Sequence, residues 1–258
     1  MMPIDTLTAL VFSLWFPFVR IMSFVHFCPI LDNKALNVRI RIIISLALAI
    51  IMAPLVPNVA EVSLLSMRGI LLTFEQIIWG LVFGMTLQLV FLALQTAGQI
   101  LSFNMGMSMA VMNDPNSGAS TTVISQTVYI FAGLLFFVMD GHLLLVTILF
   151  KGFTYWPIGN ALHPQSFKVM ALALGWVFSS AMLLALPTTF IMLTVQGVFG
   201  LLNRIAPTLN LFSLGFPINM LFGLGCLAAL FYNLPDHYLH FTNQVLAMLD
   251  SMRVSHGG

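Results

Sequence analysis

Apolar residues run along the chain in six long stretches, about 6–30, 42–60, 69–101, 122–150, 169–203 and 208–234, parted by short polar segments. Each is long enough to cross a hydrocarbon core of about 30 Å as a helix. The alternation of polar and apolar positions that a transmembrane barrel requires is absent, and in lipid a backbone must satisfy its own hydrogen bonds. The pattern predicts an all-α, polytopic membrane protein with about six long apolar helices. Turn-forming residues mark the joints. Asp32-Asn33-Lys34 closes the first helix, and Pro54 with Pro57-Asn58 closes the second. Trp156-Pro157-Ile158-Gly159-Asn160 and His163-Pro164 separate the fourth from the fifth. Ala206-Pro207 separates the fifth from the sixth, and Pro235-Asp236 ends the sixth before a short polar tail. The sequence holds no internal repeat.

Two runs are longer than a simple span. No charge occurs from Gln76 to Asn113 or from Val169 to Asn203. A helix of about 35 residues is roughly 52 Å long, more than the hydrocarbon core. Such helices are broken or tilted, or else they run through a tall protein assembly; Pro187, in the middle of the second run, is the candidate break there. The first run has no proline and reads as one tall helix. The N-terminal run has Asp5 near its start, no basic residue before Arg20 and no small-x-small cleavage site, so it is expected to remain as a membrane helix.

Composition narrows the class. Hydrophobic residues make up 60% of the 258 and charged residues 7%, with a mean hydropathy of +1.03. Soluble domains carry about 25% charged residues, so a soluble enzyme is excluded. A net charge of +1 gives no field to steer nucleic acid. Six spans would set Lys34, Arg39, Arg41 and Arg204 against Arg68, Lys151, Lys168 and Arg253, which leaves orientation open. Cys28 and Cys226 are too far apart in sequence for a metal motif, and neither a metal site nor a cofactor is expected.

Three features carry possible chemistry. Gly84, Gln88, Gln95, Gln99 and Ser102 fall on one helical face, within about 40° of Gln88 on either side. Such a stripe faces protein or water rather than lipid; it is either interhelical hydrogen bonding or the wall of an aqueous conduit. Gly80 and Gly84 form a small-xxx-small pair suited to close packing. Next, Met105, Met107, Met109 and Met112 fall within eight residues, among Gly106, Asn113, Asp114, Pro115 and Gly118. The glycines and proline argue against a continuous helix. Flexible methionine suits either a deformable seal or an ordinary loop with a Met-rich core contact. Lastly, Arg20, Glu75, Asp140, His142 and Arg204 are ionisable groups in or beside apolar runs, expected to be buried with partners. Structural ion pairs or partner contacts are the plain reading of these groups, proton binding at Asp140-Gly141-His142 the sharper one. No His-Glu-x-x-His, phosphate-binding glycine loop or Gly-x-Ser-x-Gly elbow is present, so no enzymatic activity is expected.

Taken in order, these residues resemble a known family. Glu75, Gly80 and Gly84 are followed by Gln95-Thr96-Ala97-Gly98-Gln99, the Asp114-Pro115 loop, Tyr129, Asp140-Gly141-His142, Phe153 and Pro157-x-Gly159. A second block runs from Gly200 through Asn203-Arg204-Ile205-Ala206-Pro207 to Phe212, then Gly215-Phe216-Pro217. Arg20, Pro29 and Arg39/Arg41 fit more loosely. The set resembles the FliR/SctT family of type III export-gate subunits over nearly the whole chain. Leu143 and Gly152 depart from the family, which often has His and Ser there. The resemblance implies a subunit of a cone-shaped hetero-oligomeric gate in the bacterial inner membrane, at the flagellar basal body, with part of the cone raised toward the periplasm. It implies FliP and FliQ as partners, FlhB and FlhA beside them, and unfolded flagellar proteins as cargo. It also implies a FliP-like part at about 1–150, including a plug loop at 105–122, and a FliQ-like part at about 151–258. Outside the resemblance, the residues leave a proton-coupled secondary transporter using Asp140 and His142 as the rival, against which the missing internal repeat speaks.

Overall fold

The computed structural model describes residues 4–31, 37–55, 66–107, 111–113, 120–159, 164–205 and 211–254, with side chains at 13–31, 37–54, 66–107, 121–159, 168–205 and 215–252. In chain order the elements are α1 (Ile4–Phe27), α2 (Val38–Met52) with a 3-10 turn (Ala53–Leu55), α3 (Met67–Asn104), β1 (Val111–Asn113), β2 (Ser120–Thr122), α4 (Val123–Val138), α5 (Gly141–Tyr155), α6 (Pro164–Ile205) and α7 (Leu211–Val254). The joints expected at Asp32-Asn33-Lys34, Pro57-Asn58 and Ala206-Pro207 lie outside the described residues.

The helical class follows from the pattern, whereas six spanning helices are not found among the described residues. Among the described residues three helices are long and apolar enough to cross a membrane: Met67–Asn104, Lys168–Ile205 and Gly215–Met252. The fourth apolar stretch is two helices, α4 and α5, bent by 77° at Met139-Asp140. Asp140 there adopts left-handed backbone, φ 53° and ψ 34°, which stops one helix and starts the next. α2, with 15 residues, is too short to span. The tall helix expected over the first uncharged run is α3, whose 38 residues extend about 57 Å.

Two breaks that proline suggested are absent. α6 continues through Pro187, where the Thr188 hydroxyl donates to the Ala185 carbonyl at 2.8 Å; hydroxyls beside a proline commonly supply local bonds in apolar helices. α7 continues through Pro235 to Val254. Leu230, Leu234, Tyr238, Phe241, Val245, Leu249 and Met252 are all buried. Their three- and four-residue spacing carries one buried face straight past the proline, so packing overrides the local preference.

The chain forms two compact units, and the long helices each contribute to both. The first comprises Met1–Gln88, Phe137–Leu172 and Val245–Gly258. Its core sets α1 against the first part of α3 at the two glycines. A Cβ at Gly80 would strike the Arg20 carbonyl oxygen and lie 2.6 Å from Ser23 Cβ; one at Gly84 would lie 2.7 Å from the Phe24 carbonyl oxygen. Trp79, Phe83 and Trp156 pack ring to ring, with centroids 5.2 to 5.6 Å apart. Lys151 on α5 pairs with Asp250 on α7 at 3.0 Å. The second unit comprises Leu89–Phe136 and Ala173–Gln244. There Gly98 of α3 admits Ser125 and Val128 of α4. Phe91 packs on Tyr129 and Tyr238, and Phe131 on Phe231. Trp176 of α6 donates to Gln244 of α7 at 3.0 Å.

Candidate functional site

The methionine-rich segment leaves α3 through a defined cap. Gly106 has φ +75°, the left-handed conformation that costs an L side chain about 1–2 kcal/mol. Its N–H donates to the Phe103 carbonyl and the Met107 N–H donates to the Ser102 carbonyl, each at 3.0 Å. This is a Schellman closure, which satisfies carbonyls that a helix end leaves open. Gly106 therefore ends α3 by its backbone, as the glycine in the sequence suggested.

The same helix end is tied to α6 and α7 within the second unit. Asn104 Nδ2 donates to Thr189 Oγ1 at 2.8 Å, and Gln196 Nε2 donates to the Asn104 carbonyl at 2.9 Å. Met105 is wholly buried. A Cβ on Gly223 of α7 would overlap Met105 Cγ and lie 2.6 Å from its Sδ and Cε. Thr189, Gln196 and Gly223 did not stand out in the sequence. The only signal was Gly223 itself, since a glycine inside a long helix generally has a packing reason.

Beyond Met107 the backbone forms a two-stranded antiparallel hairpin, with Val111 opposite Thr122, Met112 opposite Thr121 and Asn113 opposite Ser120. This is a small correction to an all-helical reading. Asp114, Pro115 and Gly118, between the two strands in sequence, and Met109, before them, lie outside the described residues. Gly106 is exposed and Met107 half-buried.

The polar stripe of α3 is partly covered by the chain's own packing. Gln88, Gln95 and Gln99 are half-buried and Ser102 is buried. Ser125 of α4 donates to the Gln95 carbonyl at 3.0 Å.

The ionisable residues divide sharply. Arg20 is fully buried in the first unit. Its Nε donates to Gln76 Oε1 at 2.7 Å, its Nη1 donates to the carbonyls of Gly152 and Trp156 at 3.0 and 2.9 Å, and its guanidinium lies 4.6 Å over the Phe153 ring. One side chain on α1 thus caps the carbonyl end of α5 and holds α3. Glu75 is half-buried beside Arg20, Trp79 and the Gly159 backbone. Asp140, His142 and Arg204 are exposed on the single chain. Asp140 and His142 flank the α4–α5 break, and Arg204 sits in the last turn of α6, where a cation meets open carbonyls favourably. Among the described residues no group of three or more His, Cys, Asp or Glu is placed to hold a metal.

Long apolar helices, little charge and a helix end docked between two others define a polytopic membrane protein with a built loop base. The family model of the bacterial export proteins, family 1, matches residues 11–245. The chain is 32% identical over 236 residues to the flagellar biosynthetic protein FliR of Pectobacterium carotovorum subsp. carotovorum, covering 91% of this chain and 90% of that one. It is 34% identical over 219 residues to FliR of Buchnera aphidicola subsp. Acyrthosiphon pisum, covering 84% of each. It is also 28% identical over 207 residues to the Yop proteins translocation protein T of Yersinia pestis, covering 77% of this chain and 78% of that one. The chain belongs to the bacterial export proteins, family 1, which includes the FliR proteins.

Proposed function

We propose that this chain is a core subunit of the flagellar type III export gate in the bacterial inner membrane, with no catalytic step of its own. The observation that carries this is the family match across residues 11–245. FliP and FliQ would complete the gate, with FlhB and FlhA adjoining and part of the assembly raised toward the periplasm. On this reading residues 1–150 are the FliP-like part and 151–258 the FliQ-like part. Unfolded flagellar proteins pass through the centre, and the 105–118 segment obstructs it at rest. Methionine supports such a role because an unbranched thioether adapts to an irregular opening. Gln88, Gln95, Gln99 and Ser102 would stand along the polar side of the conduit.

Two measurements test the reading. Expressed with its neighbours and purified natively, the chain is expected in one large complex with FliP and FliQ. A lone monomer or homodimer under those conditions sinks the gate assignment. Deleting residues 107–118 is expected to leave assembly intact and raise resting ion conductance. Unchanged conductance in an assembled deletion sinks the plug. The exposed positions of Asp140 and His142 give the proton-coupled transporter no enclosed relay to build on.

A further inference from the structure

The end of α3 is held from two helices by contacts of different kinds. Asn104 bonds Thr189 and Gln196 of α6 through its side chain and its carbonyl. Met105 occupies the space that Gly223 of α7 leaves by having no Cβ. Gly106 then turns the chain out with φ +75° and is itself exposed. Met105 is therefore held in place, whereas Met107 is only half-buried. Leaving its place would open a void against Gly223 and break both Asn104 bonds, because cores relax only partly around a lost side chain.

We infer that Gly223 is a socket for Met105, and that with Asn104, Thr189 and Gln196 it positions the base of the plug and stays engaged while substrate passes. Displacement then begins beyond Gly106. The functional half of this inference rests on the plug reading above; the socket itself does not. Glycine is required at 223 because even an alanine Cβ would overlap the Met105 side chain.

A disulfide tests both halves in the assembled gate. The Met105 Cβ is one bond from the Cγ that a Cβ on Gly223 would overlap, so the Cβ atoms of the double variant Met105→Cys/Gly223→Cys lie no farther apart than the roughly 3.5–4.5 Å that a disulfide spans. Oxidation is expected to form that bond, identified by peptide mass spectrometry. Secretion of flagellar substrates should then stay within about twofold of the reduced sample, since each tenfold change would mark about 1.4 kcal/mol of interference. No bond on oxidation overturns the socket. A bond that stops secretion, restored by reductant, overturns the fixed base.

A size exchange covers the case in which the cysteine pair fails to assemble. Gly223→Val should displace Met105, lower secretion about tenfold and raise resting conductance; adding Met105→Ala should return both toward normal. An active, non-leaking Gly223→Val, or no recovery in the double variant, overturns the socket. If deletion of residues 107–118 does not leak, the plug reading fails, and the disulfide still decides whether the socket exists.

Discussion

Arg20 shows how a buried charge is kept in an apolar chain. Its hydrogen bonds and its place over Phe153 are all internal, so removing it orphans Gln76 Oε1 and the Trp156 carbonyl, while the Gly152 carbonyl keeps the Trp156 N–H. An unsatisfied buried acceptor costs about 1–3 kcal/mol. Arg20→Leu should therefore lower the amount of folded protein severely, read as thermal stability in detergent and abundance in the membrane. Arg20→Lys should recover little, because an ammonium has no planar fork to reach these acceptors together. A different argument governs Asp140. Its left-handed backbone favours Gly or Asn. Asp140→Gly and Asp140→Asn should preserve secretion, whereas Asp140→Val should cost about 1–2 kcal/mol by strain. Loss of secretion in a stable Asp140→Asn would show that the carboxylate itself matters. The sequence marked both residues as unusual. It could not tell a helix cap from a backbone turn, because that distinction lies in partners brought from α3 and α5.

At the level of elements, the legible features were those set by local chemistry. The uncharged run from Gln76 gave the tall α3, and Gly106 gave its end. The stretch 122–150 reads as one helix, and Gly141 hinted only at a turn within it, so the sharp break at Asp140 was not legible. Proline misled at positions 187 and 235: at 235 the buried face of α7 outweighs one missing donor, and at 187 the helix continues although the Thr188 hydroxyl bonds Ala185 rather than the Leu183 carbonyl that the proline leaves without a donor. The contact of Met105 with Gly223 was illegible for the same reason: the two are far apart in sequence, and only packing shows that one fits the other. Glycines make the point testable. Gly80 faces backbone of α1, whereas a Cβ on Gly133 of α4 meets nothing within 4 Å. Gly80→Ala should force α1 and α3 apart and reduce folded protein. Gly133→Ala should stabilise by about 0.5–1 kcal/mol, as a helix-interior glycine usually allows. Equal effects of the two on thermal stability would contradict the close α1–α3 approach.

For the whole molecule, the question is what covers its outer helices. Two-thirds of the apolar window of α3 is enclosed by the chain, but one-third of that of α6 and only 17% of that of α7. Phe178, Met182, Leu186 and Phe190 of α6 and Leu221, Phe222 and Leu224 of α7 are exposed. Lipid could cover these. It could not cover the later part of α7, where Asn233, Asp236, His240 and Asn243 are exposed at helical spacing, because a polar face in a membrane turns to protein or water. Gln244 bonds both His240 and Trp176 at 3.0 Å, so this part of α7 is held in place rather than fraying into solvent. The two parts of α7 should therefore meet different surroundings in the membrane. A nitroxide on Leu221→Cys is expected to respond to oxygen dissolved in lipid, or to be shielded by a partner subunit. One on Asn233→Cys or His240→Cys is expected to respond to a water-soluble relaxant, or likewise to be shielded, but not to oxygen in lipid. Strong lipid-phase relaxation at 233 and 240 would mean that α7 turns its polar face to the bilayer, which would refute the placement of this helix against protein or water.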